Sequence, residues 1–526
     1  MKKMYYIIGL LLVLVGLAGC SDDKGNYDYA WIPQASVATI KVDGVYQVGD
    51  PLVIRPTVYF TKAGMENSSV EDVFSEDDYE YYWIAKRYVK SLGRIVCDTI
   101  GRERNLNYII DLSPDNYMVE YQIYNKTRDI RWLSKFTLQI TLSAPEGWLF
   151  LEDNSGQAEL SIYVRLGDGD MHIVRDMLSK AGIPAASLAG PRQVFSTYQN
   201  SRGGGVWILT DHFTGYLNVK EGHTWNERQT IQNHLIEPVG DGFVFNRMLP
   251  VMLHTVLGLS DDGLRVSRYP AMLYTADVLP TPDNGRFEVA PYAATLGFEM
   301  VTKQVLFFDV THKVFKILDV SGNFTWAQAD SKFPEGYDLM LMQTLGDASA
   351  QKICCLLKKD GGVYELVASS ATEVEMQAKL ISNSENFLNA EQVVLHMFLR
   401  LPYYLKDNKL YVNRSDLGDQ EVEIFRVPGE DEEVEEGQTQ VKAELEGQIT
   451  CIKTQMFDNL NLAGNEYRRG FMNYLVVATE LPDGTGKVYF LTPEQENAYK
   501  LTISDVVSTN HKVVSIDYQN PSILTH

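Results

Sequence analysis

Residues 352–367 read Lys-Ile-Cys-Cys-Leu-Leu-Lys-Lys-Asp-Gly-Gly-Val-Tyr-Glu-Leu-Val. Two apolar runs flank Asp360-Gly361-Gly362. Glycine tolerates the positive φ of a tight hairpin turn and aspartate bonds its own backbone, so this stretch predicts a β-hairpin. Six more apolar pairs of the same kind lie at 147–164, 206–219, 255–269, 304–320, 403–412 and 474–491. Their turns fall near Ser155, Phe213, Asp262, His312, Gly361, Asp407 and Gly484, so the turn-to-turn steps are 58, 49, 50, 49, 46 and 77 residues. A period of ~40–50 residues with several strands in each unit is propeller spacing. Residues 147–526 are therefore expected to form a β-propeller-like domain of about seven blades, with six or eight as the neighbouring counts. A second sandwich or an irregular β domain is the competing architecture, because no WD or kelch motif is present and the signal is periodicity alone.

The departures from the period carry information. Between the first two hairpins, Val174, Met177, Leu178 and Ala181 stand at helical spacing, which predicts a short helix over 171–181 stopped by Gly182. The long last step contains Glu430-Asp431-Glu432-Glu433-Val434-Glu435-Glu436, six acids in seven positions, which repel one another and predict a solvated loop. Residues 71–80 hold six more acids in ten positions. Neither stretch has the ligand spacing of an EF-hand, so both read as solvated loops rather than calcium sites.

Ahead of the propeller, residues 31–146 alternate in the manner of strands. Candidates are 37–42, 51–60, 79–86, 117–124 and 135–143. In the last, Phe136, Leu138, Ile140 and Leu142 form one face, and Thr137, Gln139 and Thr141 the other. Strands of this length over such a span predict a seven-strand immunoglobulin-like or PKD-like sandwich, with Trp83 at the core of a central strand. The chain as a whole is thus expected to be all-β.

The N-terminus has its own pattern. Met1-Lys2-Lys3-Met4 is basic, and residues 5–15 form an apolar run of eleven, too short to span a bilayer. Leu17-Ala18-Gly19-Cys20 resembles the bacterial lipobox. That resemblance implies a lipoprotein signal peptide over 1–19, removal before Cys20, fatty acylation (palmitate) of Cys20, and an acidic tether over 20–30. An ordinary signal peptide with a chance cysteine is the alternative. Ser21, Asp22 and Asp23 resemble the surface-export signal of Bacteroidota lipoproteins; a solvated tether is the plainer reading. No later stretch reaches 18 apolar residues.

With these residues in hand a family resemblance can be stated. The opening Asp23-Lys24-Gly25-Asn26-Tyr27-Asp28-Tyr29, the tract Tyr81-Tyr82-Trp83-Ile84 and the closing strand pair resemble the PKD-like surface lipoproteins of Bacteroidota. The resemblance covers residues 1 to about 145, and beyond that rests on overall size and on Gly147-Trp148. The usual immunoglobulin cysteine pair is missing, since this region holds Cys97 alone, so apolar packing must hold the sandwich. Cys354 and Cys355 are neighbours on a predicted strand and read as small buried hydrophobes on its two faces. With Cys451 they make no disulfide framework.

Composition narrows the function classes. The chain has 526 residues, 45% hydrophobic and 22% charged, which is ordinary globular usage with room for two to four domains. Its net charge of −22 repels phosphate backbones, so nucleic acid is not an expected partner. The nine histidines form no His-Glu-x-x-His helix, and no Cys-x-x-Cys pair exists. There is no Gly-x-Ser-x-Gly elbow, Walker loop or dinucleotide-binding glycine pattern. Gly203-Gly204-Gly205 precedes a predicted strand, not a helix whose N-terminus binds phosphate. Asp153-Asn154-Ser155-Gly156 and Asp168-Gly169-Asp170 read as turns. No catalytic residue, metal or cofactor is assigned, and the ligand-binding residues are not legible.

What the resemblance implies about function is an outer-membrane, cell-surface lipoprotein that captures a nutrient beside a Sus-like TonB-dependent transporter and a SusD-like lipoprotein. A structural or docking module of that complex, without a small ligand, is the first alternative. A surface hydrolase or lyase is the second.

Overall fold

The computed structural model describes residues 33–519 apart from 43–44, 48–49, 63–75, 90–92, 113–114, 142–146, 166–170, 198–204, 220–222, 253–254, 269–272, 280–284, 297–303, 321–323, 329–332, 346–351, 370–376, 397–398, 415, 430–431, 433–438 and 455–473. Within them, every one of the seven hairpins read from the sequence is formed. They are Gly147–Asn154 with Gln157–Arg165, Gly205–Thr210 with Thr214–Asn218, and Thr255–Ser260 with Gly263–Arg268. Gln304–Asp309 pairs with Val314–Asp319, Lys352–Lys359 with Gly362–Ser369, Pro402–Lys406 with Lys409–Arg414, and Leu475–Glu480 with Gly486–Pro493.

Each hairpin belongs to a separate sheet, a blade, antiparallel throughout except that Glu423–Arg426 runs parallel to Lys500–Thr509 in the last. An inner strand precedes the hairpin in blades 2 to 7: Pro191–Ser196, Arg247–Met252, Ala294–Leu296, Asp338–Leu345, Gln392–Leu395 and Gln448–Thr454. In blade 1 the inner place is taken by the end of the chain, Lys512–Gln519, which pairs with Gly147–Asn154. Consecutive inner strands contact one another from blade 1 round to blade 7 and back to blade 1. The seven sheets therefore close into a propeller ring, latched where Gly147 stands opposite Gln519.

Packing explains why the hairpins were legible. In blade 1, Trp148 and Phe150 enter the cluster shared with Val476 and Phe490 of blade 7, while Leu149 and Leu151 enter the one shared with Val206 and Ile208 of blade 2. A strand buried on both faces reads as a continuous apolar run rather than an alternation. Cys354 and Cys355 obey the same rule: Cys354 packs towards blade 6 and Cys355 towards blade 4. Burial pushes both thiols well above the usual cysteine range, so both remain protonated. Gly258 in blade 3 is required by close approach, because a Cβ there would lie 2.2 Å from the Phe245 ring.

The irregular steps have structural causes. In the first, the α-helix is confined to Met177–Ala181, ended by Gly182 at φ 78°, and a 3-10 turn follows at Ala185–Leu188. Residues 171–174, expected to be helical, are instead the strand Met171–Val174, because the open edge of Gln157–Arg165 offers them ladder hydrogen bonds. The long last step carries two added strands, Glu423–Arg426 and Val441–Ala443, which widen blade 7 to six strands. Of the acidic run, Glu432 is described: it pairs with Arg426 at 2.6 Å. The rest of 430–436 lies outside the described residues, as do Leu142, residues 71–75, Gly203, Gly204 and Asp168-Gly169-Asp170.

The N-terminal unit is a sandwich of nine strands among the described residues, two more than expected. A five-stranded sheet is ordered Val45–Gln47, Ile130–Thr141, Asp115–Asn125, Tyr79–Val89, Arg94–Gly101. The pairs Pro33–Val37 with Val58–Lys62 and Pro51–Ile54 with Leu106–Ile109 lie across its core. Arg94–Gly101 and Leu106–Ile109 are half exposed edges with few apolar side chains turned inward, so their pattern was faint. The expected strand 51–60 is broken, because Pro56 has no N–H to donate. The expected strand 37–42 is instead Pro33–Val37, whose pairing ends at Val37 opposite Val58. Trp83 is central and fully buried, against Tyr121 at 4.2 Å. The sandwich leans on the helix after blade 1: Arg87 donates to the Lys180 carbonyl, and Lys180 Nζ donates to the Asp111 carbonyl at 3.0 Å.

The latch holds a buried histidine. His223, after the third strand of blade 2, donates from Nε2 to Gln519 Oε1 at 2.9 Å, and burial pulls its pKa down to about 4 from the usual 6.5. An unfolded chain binds the proton more readily, so this contribution is complete above about pH 6.5 and is lost as pH falls towards about 4. The loss is on the order of 3 kcal/mol. His223→Asn, which tolerates the left-handed φ of 60° here, is expected to flatten stability across that window in urea titrations.

Candidate functional site

The site follows from the inner strands. Each has one backbone edge that no strand of its own blade pairs. Backbone N–H and C=O groups need partners, and side chains of the neighbouring blade supply them. Gln193 in blade 2 donates to the Met248 carbonyl at 3.0 Å and accepts from Met248 N at 2.9 Å in blade 3. Gln392 in blade 6 does the same across two residues of blade 7, donating to Thr450 O at 2.9 Å and accepting from Ile452 N at 3.0 Å. Between blades 1 and 2, Ser515 and Asp517 accept from Val194 N and Ser196 N at 3.2 and 2.7 Å. The paired registers advance together, so these strands run in the same direction along the axis.

Gln392→Leu removes both bonds of one bridge and strands a carbonyl and an N–H. A loss of about 1–3 kcal/mol is expected, read as a lower urea midpoint at unchanged slope.

The bridged strands enclose an axial cavity of about 480 Å³, lined by residues of all seven blades. Its charged groups differ in how they are matched. Arg192 Nε lies 2.6 Å from Asp211, and Arg192 also donates to Asn246. Lys453 lies 3.3 Å from Asp517. Glu391 accepts from Asp407 N at 2.8 Å, within its own blade. Arg247 stands 6.0 Å over the Tyr292 ring, and among the described residues no carboxylate pairs with it. Burial raises the Tyr292 phenol above its ordinary range, against the opposing pull of Arg247, so its hydroxyl stays protonated. Gln343 is 3% exposed, and its Nε2 has no acceptor among the described residues.

This arrangement offers hydrogen-bond donors and an aromatic face inside a small-molecule-sized space. Among the described residues, no group of three or more His, Cys, Asp or Glu is placed to hold a metal ion. Asp153 accepts from Gly156 N at 2.6 Å, which makes it a turn residue. Cys20, Ser21, Asp22 and Asp23 lie outside the described residues. Of the cavity residues the sequence marks Cys451 alone, and only as a cysteine outside any disulfide framework. One faint signal was present: Gln193-Val194 and Gln392-Val393 repeat the same dipeptide shortly before two hairpins.

Among solved structures, the chain is similar to a Quinonprotein alcohol dehydrogenase-like protein from Bacteroides thetaiotaomicron, with 13% identity and a TM-score of 0.47 over 93% of this chain and 100% of that one. It is also similar to the periplasmic gluconolactonase of Pseudomonas aeruginosa, with 10% identity and a TM-score of 0.35 over 71% of this chain and 99% of that one. No curated protein matches the sequence. Residues 20–182, which span the sandwich and the first blade up to the glycine that ends its helix, match the model of the PKD-like family.

Proposed function

We propose that this protein is a lipid-anchored accessory module of the bacterial cell surface, and that its propeller captures a small nutrient for a Sus-like TonB-dependent importer. The observation that carries the reading is the axial cavity, which every blade helps to line and which holds a buried amide donor and a cation without a carboxylate partner among the described residues. The PKD-like N-terminal unit supports an accessory role, with acyl chains on Cys20 as the anchor and the sandwich as the spacer. No helix among the described residues is long and apolar enough to cross a membrane, in keeping with anchoring by lipid.

A docking module is the second reading. The outer face of the five-stranded sheet favours it, since Tyr88, Ile95 and Met118 are 63%, 58% and 42% exposed on adjoining strands. Soluble protein of residues 21–526 separates the two. Ligand capture requires that members of a nutrient panel raise its Tm and bind in calorimetry. Retention by importer components with no ligand response would replace capture by docking.

A further inference from the structure

We infer that the axial cavity recognises a small organic anion, and that Arg247 receives its carboxylate. This rests on the capture reading above and adds the chemical class of the ligand. Among the described residues, the cavity's ionised groups are each matched with one exception. Arg192 is neutralised by Asp211, Lys453 by Asp517, and Glu391 is turned to its own hairpin by Asp407 N and Lys406. Among the described residues Arg247 is left with the ring of Tyr292, 6.0 Å from its guanidinium carbon, a contact that leaves its charge uncompensated.

A guanidinium offers parallel N–H groups in a fixed fork that fits a carboxylate. The setting sharpens the choice. The chain carries a net charge of −22, so an exposed cation on the cavity lining, without a carboxylate partner among the described residues, is a local reversal of the overall field.

The second observation is independent of charge. Gln343 lines the same cavity from blade 5, is almost wholly buried, and keeps an Nε2 donor without an acceptor among the described residues. Leaving such a donor unpaired is costly, and a turn of the amide towards the cavity would let an oxygen of a ligand satisfy it. The equivalent use of glutamine elsewhere in the ring shows the contrast, because Gln193 and Gln392 both spend their amides on the next blade. The ligand is therefore a molecule with a carboxylate and at least one further acceptor oxygen, small enough for about 480 Å³. Sugar acids and hydroxy acids meet that description.

The test uses residues 21–526 in calorimetric titrations at low salt with glucuronate, galacturonate, citrate and, as the neutral control, glucose. At least one carboxylate is expected to bind at least tenfold more tightly than glucose, and to weaken as salt is raised. Arg247→Gln, at an exposed position and so without cost to folding, is expected to lose about tenfold for the acid and nothing for glucose. Gln343→Leu is expected to weaken the acid several-fold without removing its salt dependence. Equal binding of glucose and acids, unmoved by Arg247→Gln, overturns the anion inference and leaves capture standing. No binding by any of the four, with importer components retained, overturns both.

Discussion

Trp207→Ala is expected to destabilise the propeller by about 3–5 kcal/mol, read as a lower urea midpoint at unchanged slope. Trp207 is fully buried in the second strand of blade 2, opposite Phe195 on one side and Tyr216 on the other. Its ring lies 4.9 Å from Tyr216 and meets Tyr274 of blade 3 edge-on at 6.2 Å. Met248 and Phe245 complete the same cluster, so truncation opens a cavity between two blades. The indole N–H has no acceptor among the described residues, which gives a control. Trp207→Phe keeps most of the ring and removes the stranded donor, so it is expected to cost under about 1.5 kcal/mol. Equal losses in the two variants would show that aromatic packing at this interface is not what stabilises it.

Cys20→Ala is expected to move the protein almost completely out of the membrane fraction or to leave it as an uncut precursor. On the proposed anchoring, attachment depends on acyl chains at this one thiol, each buried methylene contributing about 0.8 kcal/mol. Fractionation followed by mass measurement of the N-terminus reads the result. Correctly cleaved Cys20→Ala protein that stays on membranes would sink the anchor.

These two residues also mark how differently parts of the chain could be read. Trp207 lies in Gly205–Thr210, buried on both faces, and its apolar run stands out unaided. All seven such hairpins were legible because both strands and their turn lie within a few residues, and turn chemistry is local. The inner strands were not. Pro191–Ser196 and Gln392–Leu395 are short, mix polar with apolar residues, and owe their place to bridges from other blades. Residues 171–174 were misread as helix for the same reason: their strand partner, not their own spacing, sets their conformation.

By itself, then, the sequence determined the all-β class, the sandwich ahead of the ring, and a repeat close to the seven blades observed. Those features follow from burial on strand faces and from glycine and aspartate at turns, which neighbouring residues suffice to specify. Only the tertiary structure decided the latch and the cavity. Lys512–Gln519 becomes the inner strand of the first blade, and His511 N reaches Glu152 across 359 residues of chain. Arg247, Tyr292 and Gln343 meet around one axis although they belong to three different blades. Such meetings depend on ring closure, a balance of contacts between every blade and the next, and no local pattern of residues encodes which side chains a closed ring will bring face to face.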